Sequence, residues 1–274
     1  MLSGTRPTDD LWLTAHDGVG VRKARVISAR PLGIGLATGL LTELVHGGWC
    51  QLWEGRLFRT EVEPLTGKAV KPPKDFALQT LLDQMQVDEQ DWPLPKPQRS
   101  RTYRAAHSLP PQIGDYWPPE AQAAGGSPPV PKETKPSGPG HDPREYMTWL
   151  AYEDRAVRLV GDRLARIGLV QREEERRRFR GGTTVRYVPY NTVLTGNPAN
   201  QLTGAVQHWV ALDWSRLFYA ELLFVTGLHQ HALFGLTPSQ HHGLRYLLKK
   251  GLEGPSRELL DVAEVTVKDA AGIR

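Results

Sequence analysis

The apolar pattern changes period once, between residues 143 and 190, and that change restricts the fold more than any other feature of the chain. Tyr146, Leu150, Val157, Val160, Leu164 and Ile167 recur at three- and four-residue steps, broken only by Glu153. Such spacing draws one apolar stripe along a helix. Asp142-Pro143 predicts its start, an N-cap followed by a proline whose missing N–H has no helical partner to lose. Gly168 predicts its end, because glycine readily takes the left-handed conformation that closes helices. Trp149, Ala156 and Leu159 widen the stripe, so the pattern predicts one helix over 143–167 embraced by others. From Leu169 to Tyr190 the pattern turns extended, with Gly181-Gly182 as a hairpin turn signal.

Six arginines lie in this hairpin (Arg172, Arg176, Arg177, Arg178, Arg180 and Arg186) against Glu173, Glu174 and Glu175. On the helix, Arg155 and Arg158 stand one turn apart. Two guanidinium groups at that spacing suit a two-pronged clamp on an anion. The plainer account is a solvated face on which Arg158 pairs with Asp162 at i, i+4. Helix, hairpin and basic charge together admit a winged-helix-like nucleic-acid module or a unit that meets another anionic surface.

The rest of the chain reads as mostly helical. Thr8-Asp9-Asp10 caps a short apolar segment ending at the turn Asp17-Gly18, and a basic loop from Val19 to Arg30 carries Arg22, Lys23, Arg25 and Arg30. Pro31 opens a second strong helix with a stripe of Leu36, Leu40, Leu41 and Leu44, ended by Gly47-Gly48. A hairpin follows around Glu54-Gly55, and Asp75 caps a helix through Met85. Residues 91 to 143 hold 13 of the 22 prolines and little apolar periodicity, which predicts an extended or disordered insertion in a single domain of 274 residues. Asn200 to Leu212 and Asp213 to Leu228 read as helices, Thr237-Pro238 caps another, and Pro255 opens a last one. The fold class is therefore mainly α: a helical bundle core with short β-hairpins, one of them a winged-helix-like wing.

Function classes narrow by composition. A net charge of +4 permits a nucleic acid or an anionic membrane as partner and demands neither. The single cysteine, Cys50, excludes a disulfide framework and fits a reducing compartment. No window reaches the ~20 uncharged apolar residues of a bilayer span. Gly33, Gly35 and Gly39 depart from a dinucleotide fingerprint and fit close helix packing better. His229, His231, His241 and His242 lack the co-ligands of a zinc site. Glu43, Glu153 and Glu221 interrupt apolar stripes, where a carboxylate caps a helix or pairs with an arginine. No nucleophile elbow or phosphate loop is present, so neither an enzyme nor a cofactor is expected.

Taken in order, these pieces resemble the Golgi phosphoprotein 3 family in its bacterial branch. The residues that carry the resemblance are Asp10-Leu11-Trp12-Leu13 with Asp17-Gly18, Gly35-Leu36 through Glu43-Leu44, the Gly47-Gly48 hairpin, Arg155 to Val170, Arg186-Tyr187-Val188-Pro189, and Leu217 to Leu228. The resemblance implies a helical domain without enzyme activity, cytoplasmic and peripherally membrane-associated. It implies binding of anionic phospholipid head groups, phosphatidylinositol 4-phosphate in the eukaryotic members. The matching head-group residues here are Arg155 and Arg158, joined by Arg25 and Arg30 from the basic loop, while Ala37 stands where the family has an arginine and Ser28 near its tryptophan. It also implies a homo-oligomer through the hairpin, with Arg176, Arg178, Phe179, Val185 and Tyr187 as contacts. A nucleic-acid binder, or a self-associating scaffold, is the alternative.

Overall fold

The computed structural model describes residues 6–17, 26–62, 69–90, 136, 140–176 and 183–272. In chain order these form α1 (Pro7–Ala15), α2 (Ala29–His46), a hairpin of β1 (Cys50–Trp53) and β2 (Arg56–Arg59), and α3 (Phe76–Gln90). Then come α4 (Pro143–Ala151), a 3-10 turn (Tyr152–Asp154), α5 (Arg155–Arg166), and a hairpin of β3 (Val170–Arg176) and β4 (Thr183–Pro189). Five helices close the chain: α6 (Thr192–Gln207), α7 (Trp214–Thr226), α8 (His229–Ala232), α9 (Pro238–Gly251) and α10 (Pro255–Ala270). The protein is mainly helical with two antiparallel hairpins, as the pattern predicts.

The bundle is built round α2. Every residue from Leu32 to Thr42 is buried, because α1, α4, α5, α7 and α10 all pack against it. A helix apolar on all sides has no solvent face to lose. Its glycines admit different neighbours: a methyl added at Gly33 would lie 2.8 Å from the Ala151 Cα of α4, and one at Gly35 would lie 2.3 Å from Thr226 of α7. Backbone cannot yield as a side-chain tip can, so Gly33→Val is expected to lose about 1–3 kcal/mol. Gly204 in α6 has open space at its Cβ, and Gly204→Ala is expected to gain up to about 1 kcal/mol. Urea midpoints of the two variants should move in opposite directions; a Gly33→Val midpoint equal to wild type would refute the close approach of α2 and α4.

Several expectations need correction. The helix over 143–167 is two helices, because Glu153 and Asp154 are both left-handed, with φ of 52° and 58°. The break lets α4 lie on Gly33 while α5 turns to face α1 and α3. α1 begins one residue before Thr8, which is buried inside the helix, while Asp9, also buried, caps the helix start by accepting from the backbone N–H of Arg6 at 3.4 Å. Pro31 sits in the first turn of a helix that already starts at Ala29. α6 spans Thr192–Gln207, running through Pro198 instead of starting beyond it. The Asn191 side chain accepts from Val193 N at 2.8 Å, and Thr195, Ala199, Leu202 and Val206 are buried along its length. Those contacts offset the one helical hydrogen bond a proline removes.

Of the proline-rich segment, 91–135 and 137–139 lie outside the described residues, as does Gly181-Gly182. Its last four residues, 140–143, have defined partners: His141 exchanges two 2.8 Å backbone hydrogen bonds with Leu57, and Asp142 caps α4.

Burial holds the imidazoles of His46 and His229 below their ordinary value of 6.5. His46 meets Ser256 Oγ at 2.9 Å and lies 4.2 Å from the Trp214 ring. The folded chain therefore binds fewer protons here than the unfolded chain does. Stability carried by the neutral rings is complete above the unfolded value of 6.5 and declines as pH falls towards the folded values. The urea midpoint is expected to drop between about pH 7.5 and 5.5, and His46→Gln should flatten that drop. An unchanged slope in the variant would remove His46 from the cause.

Candidate membrane-contact site

The residues that the sequence marks for anion binding do not share one clamp. Arg155 Nη1 donates to the Trp149 carbonyl at 3.3 Å, and its guanidinium carbon lies 4.8 Å from the Trp149 ring and 5.3 Å from the Tyr152 ring. Arg158 Nη2 donates to the Glu153 carbonyl at 2.7 Å, not to Asp162. Both side chains hold the left-handed break between α4 and α5. Arg30 is exposed at the start of α2 and borders an open cavity of about 550 Å3 together with Tyr152, Glu153 and Asp154. Two acidic residues thus line the same cavity as Arg30, and the Glu153 carboxylate is 3.7 Å from Arg155. Arg25 lies outside the described residues.

The arginine hairpin leans on its own chain. Val170 pairs with Pro189 and the ladder runs to Arg176 opposite Thr183. Tyr187 is buried, its ring over Gly161 and its hydroxyl donating to Asp162 at 2.8 Å. Val185 is half-buried on the same core. Arg178 and Phe179 lie outside the described residues.

Sequence reasoning missed a buried ion cluster. Arg163 on α5 is 2.6 Å from Asp9 and 2.8 Å from Glu43, and 3.5 Å from Asp75. Arg6 joins from the edge, 2.7 Å from Glu43 and 2.8 Å from Asp75. The Thr8 hydroxyl also donates to Glu43. Burial raises the Asp9 carboxyl above its usual range, against the pull of Arg163, and the Arg163 guanidinium is held charged by Glu43 and Asp9. Glu43 on an apolar stripe was the visible signal; its partners come from α5 and from the start of α1. Glu221 likewise pairs with Arg257, at 3.0 Å.

The second site missed is at the end of α6. Three helices here close with the same pair of hydrogen bonds, a 6→1 bond enclosing a 5→2 bond. In α2 they run from Trp49 N to Leu44 O and Gly48 N to Val45 O, and in α5 from Leu169 N to Leu164 O and Gly168 N to Ala165 O. Gly48 and Gly168 supply the left-handed residue, with φ of 75° in each. In α6 the bonds run from Val210 N to Ala205 O and Trp209 N to Val206 O, and the left-handed residue is Trp209, with φ of 53°. Tryptophan there costs roughly 1–2 kcal/mol relative to glycine. No burial repays it, because Trp209 is 69% exposed.

Around Trp209 the surface is apolar. Val210 follows it, and Tyr246 and Leu247 of α9 are exposed beside it. Phe234, 84% exposed, precedes Gly235, whose carbonyl accepts from Gln207 at the end of α6. Below these side chains an open groove of about 520 Å3 runs between α6, α7 and α9. Lys249 and Lys250 occupy the last turn of α9, with Lys250 Nζ 4.7 Å from the Tyr246 ring centroid. The nearby acid Asp213 accepts from Arg216 N at 2.8 Å as the cap of α7. The sequence signal was a His-Trp-Val run, hidden by extending the helix to Leu212.

Among the described residues, no group of three histidine, cysteine or acidic side chains comes together as metal ligands, and His231 pairs with Asp17 at 3.1 Å. No known family model matches the chain, and a search of curated proteins finds no match.

Proposed function

We propose that the chain is a non-enzymatic peripheral membrane protein that docks on anionic phospholipid surfaces through the Trp209 corner. The observation that carries this reading is the strained, exposed tryptophan where two sister helix ends have glycine. A residue kept in a costly conformation points to a role outside folding. Tryptophan and tyrosine settle at the level of lipid head groups, with aliphatic neighbours just below them. Lys249 and Lys250 beside them supply about 1 kcal/mol each towards an anionic surface. Among the described residues no helix is long and apolar enough to cross a membrane. The order of motifs that resembles the Golgi phosphoprotein 3 family supports the same reading.

Vesicle flotation tests it directly. The chain is expected to float with vesicles containing phosphatidylserine, less so as salt rises, and poorly with phosphatidylcholine alone. A chain that stays at the bottom with every vesicle, yet retards duplex DNA in a gel at the same salt, would put the nucleic-acid reading in its place.

A further inference from the structure

We infer that the groove beneath Trp209 takes up one acyl chain of an anionic membrane lipid, with Lys250 meeting the charge at its head. The inference deepens the membrane reading and rests on it for the source of the lipid. Docking by Trp209 alone needs only exposed rings; the groove is a separate feature with its own chemistry. Its volume of about 520 Å3 falls in the range of small-ligand sites, and it is open along one side.

The lining is apolar almost throughout. Val206, Leu212, Leu217 and Leu244 form the walls, with Gly243 and Gly251 on the α9 side and Leu217 packed against Gly251. A methyl added at Gly243 would rest 3.5 Å from the Trp209 ring, so the ring overhangs that backbone. The left-handed turn at Trp209 puts it there; a right-handed residue would continue α6 and carry the ring elsewhere. Among the described residues, Trp209, Tyr246 and Lys250 are the only ones of the lining with a polar atom in the side chain, and Lys250 is the only charged one. Among the described residues, no carboxylate lines the groove. Lys250 Nζ stands over the exposed Tyr246 ring, which places the cation at the mouth and not along the walls. An apolar groove with one cation at its opening is complementary to an amphiphile with one anionic end. A peptide would have to bury its amide groups against walls that are apolar except at Trp209, Tyr246 and Lys250.

Parinaric acid, a fluorescent long-chain fatty acid, serves as the probe in buffer without vesicles, excited by energy transfer from tryptophan. The wild-type chain is expected to take it up, and to bind its methyl ester tenfold or more weakly. Lys250→Glu reverses the charge at the mouth, and Ala205→Leu, from a half-buried position in the lining, fills the slot. Each variant should weaken uptake tenfold or more with the far-ultraviolet circular dichroism unchanged. Lys250 is exposed, so Lys250→Glu stays informative if Ala205→Leu fails to fold. If the wild type floats with anionic vesicles but takes up no parinarate, or if both variants bind it as the wild type does, the groove inference is overturned and the docking proposal stands. If parinarate is bound but no vesicle is, the membrane source is wrong and both proposals fall.

Discussion

Arg163→Ala is expected to destabilise the fold by about 3–5 kcal/mol, the cost of leaving buried charge without its counterion. Asp9, Glu43 and Asp75 come from α1, α2 and the turn before α3, and Arg163 from α5 reaches all three. Its side chain is 7% exposed and that of Asp9 is 4% exposed, so water enters poorly once the guanidinium is gone. Arg6 still bridges Glu43 and Asp75, but Asp9 keeps only the Arg6 backbone N–H at 3.4 Å. Stabilities of single domains run to about 5–15 kcal/mol, so the loss is a large share of the total. Urea unfolding followed by circular dichroism measures it. Asp9→Asn placed on top of Arg163→Ala should recover part of the loss, because the worst-placed charge is then removed. A single-variant loss below about 1 kcal/mol would mean the cluster is solvated like an exposed pair.

Trp209→Gly is expected to move two readouts in opposite directions. Glycine takes the left-handed conformation without strain, as at Gly48 and Gly168, so the fold should gain about 1 kcal/mol. The ring that is lost is mostly exposed and makes little packing on its own chain. Binding to phosphatidylserine vesicles should fall tenfold or more, since burying a large apolar side chain is worth about 1.5–3 kcal/mol. Adding Leu247→Ser should take the combined loss towards a hundredfold, at about 1.4 kcal/mol per factor of ten. A trade of stability for function is the signature of a residue selected for what it touches outside the fold. A variant that floats as well as the wild type would move the contact elsewhere on the molecule. One that loses stability would show that the Trp209 ring packs on its own groove more than it projects.

What could be read from residues alone is what neighbours in sequence decide. The cap at Asp75 accepts from Ala77 N and Leu78 N, and the caps at Asp142, Asp213 and Thr237 likewise act within one turn. The hairpin at Glu54-Gly55 has both residues left-handed, as its turn type requires. The leucine stripe of α2 lies in the core because a helix with that many apolar residues has nowhere else to go. Each of these depends on interactions over two to four residues, which the order of residue types displays.

The tertiary structure decided the remainder. The stripe from Tyr146 to Ile167 is continuous in sequence, and the break at Glu153-Asp154 exists because α4 must close on Gly33 while α5 carries Arg163 to Asp9. Arg155 and Arg158 read as an anion clamp until the break supplies carbonyls for them to hold. Glu43 could be flagged as a misfit on an apolar face, but Arg163 lies 120 residues away in the chain and nothing local joins the two. Trp209 gives no sign in sequence that it replaces a glycine, since its backbone conformation follows from where α6 has to end against α7 and α9. Helix propensity and capping are summed along the chain, whereas close approach, charge pairing and strain are settled only when distant segments compete for the same space.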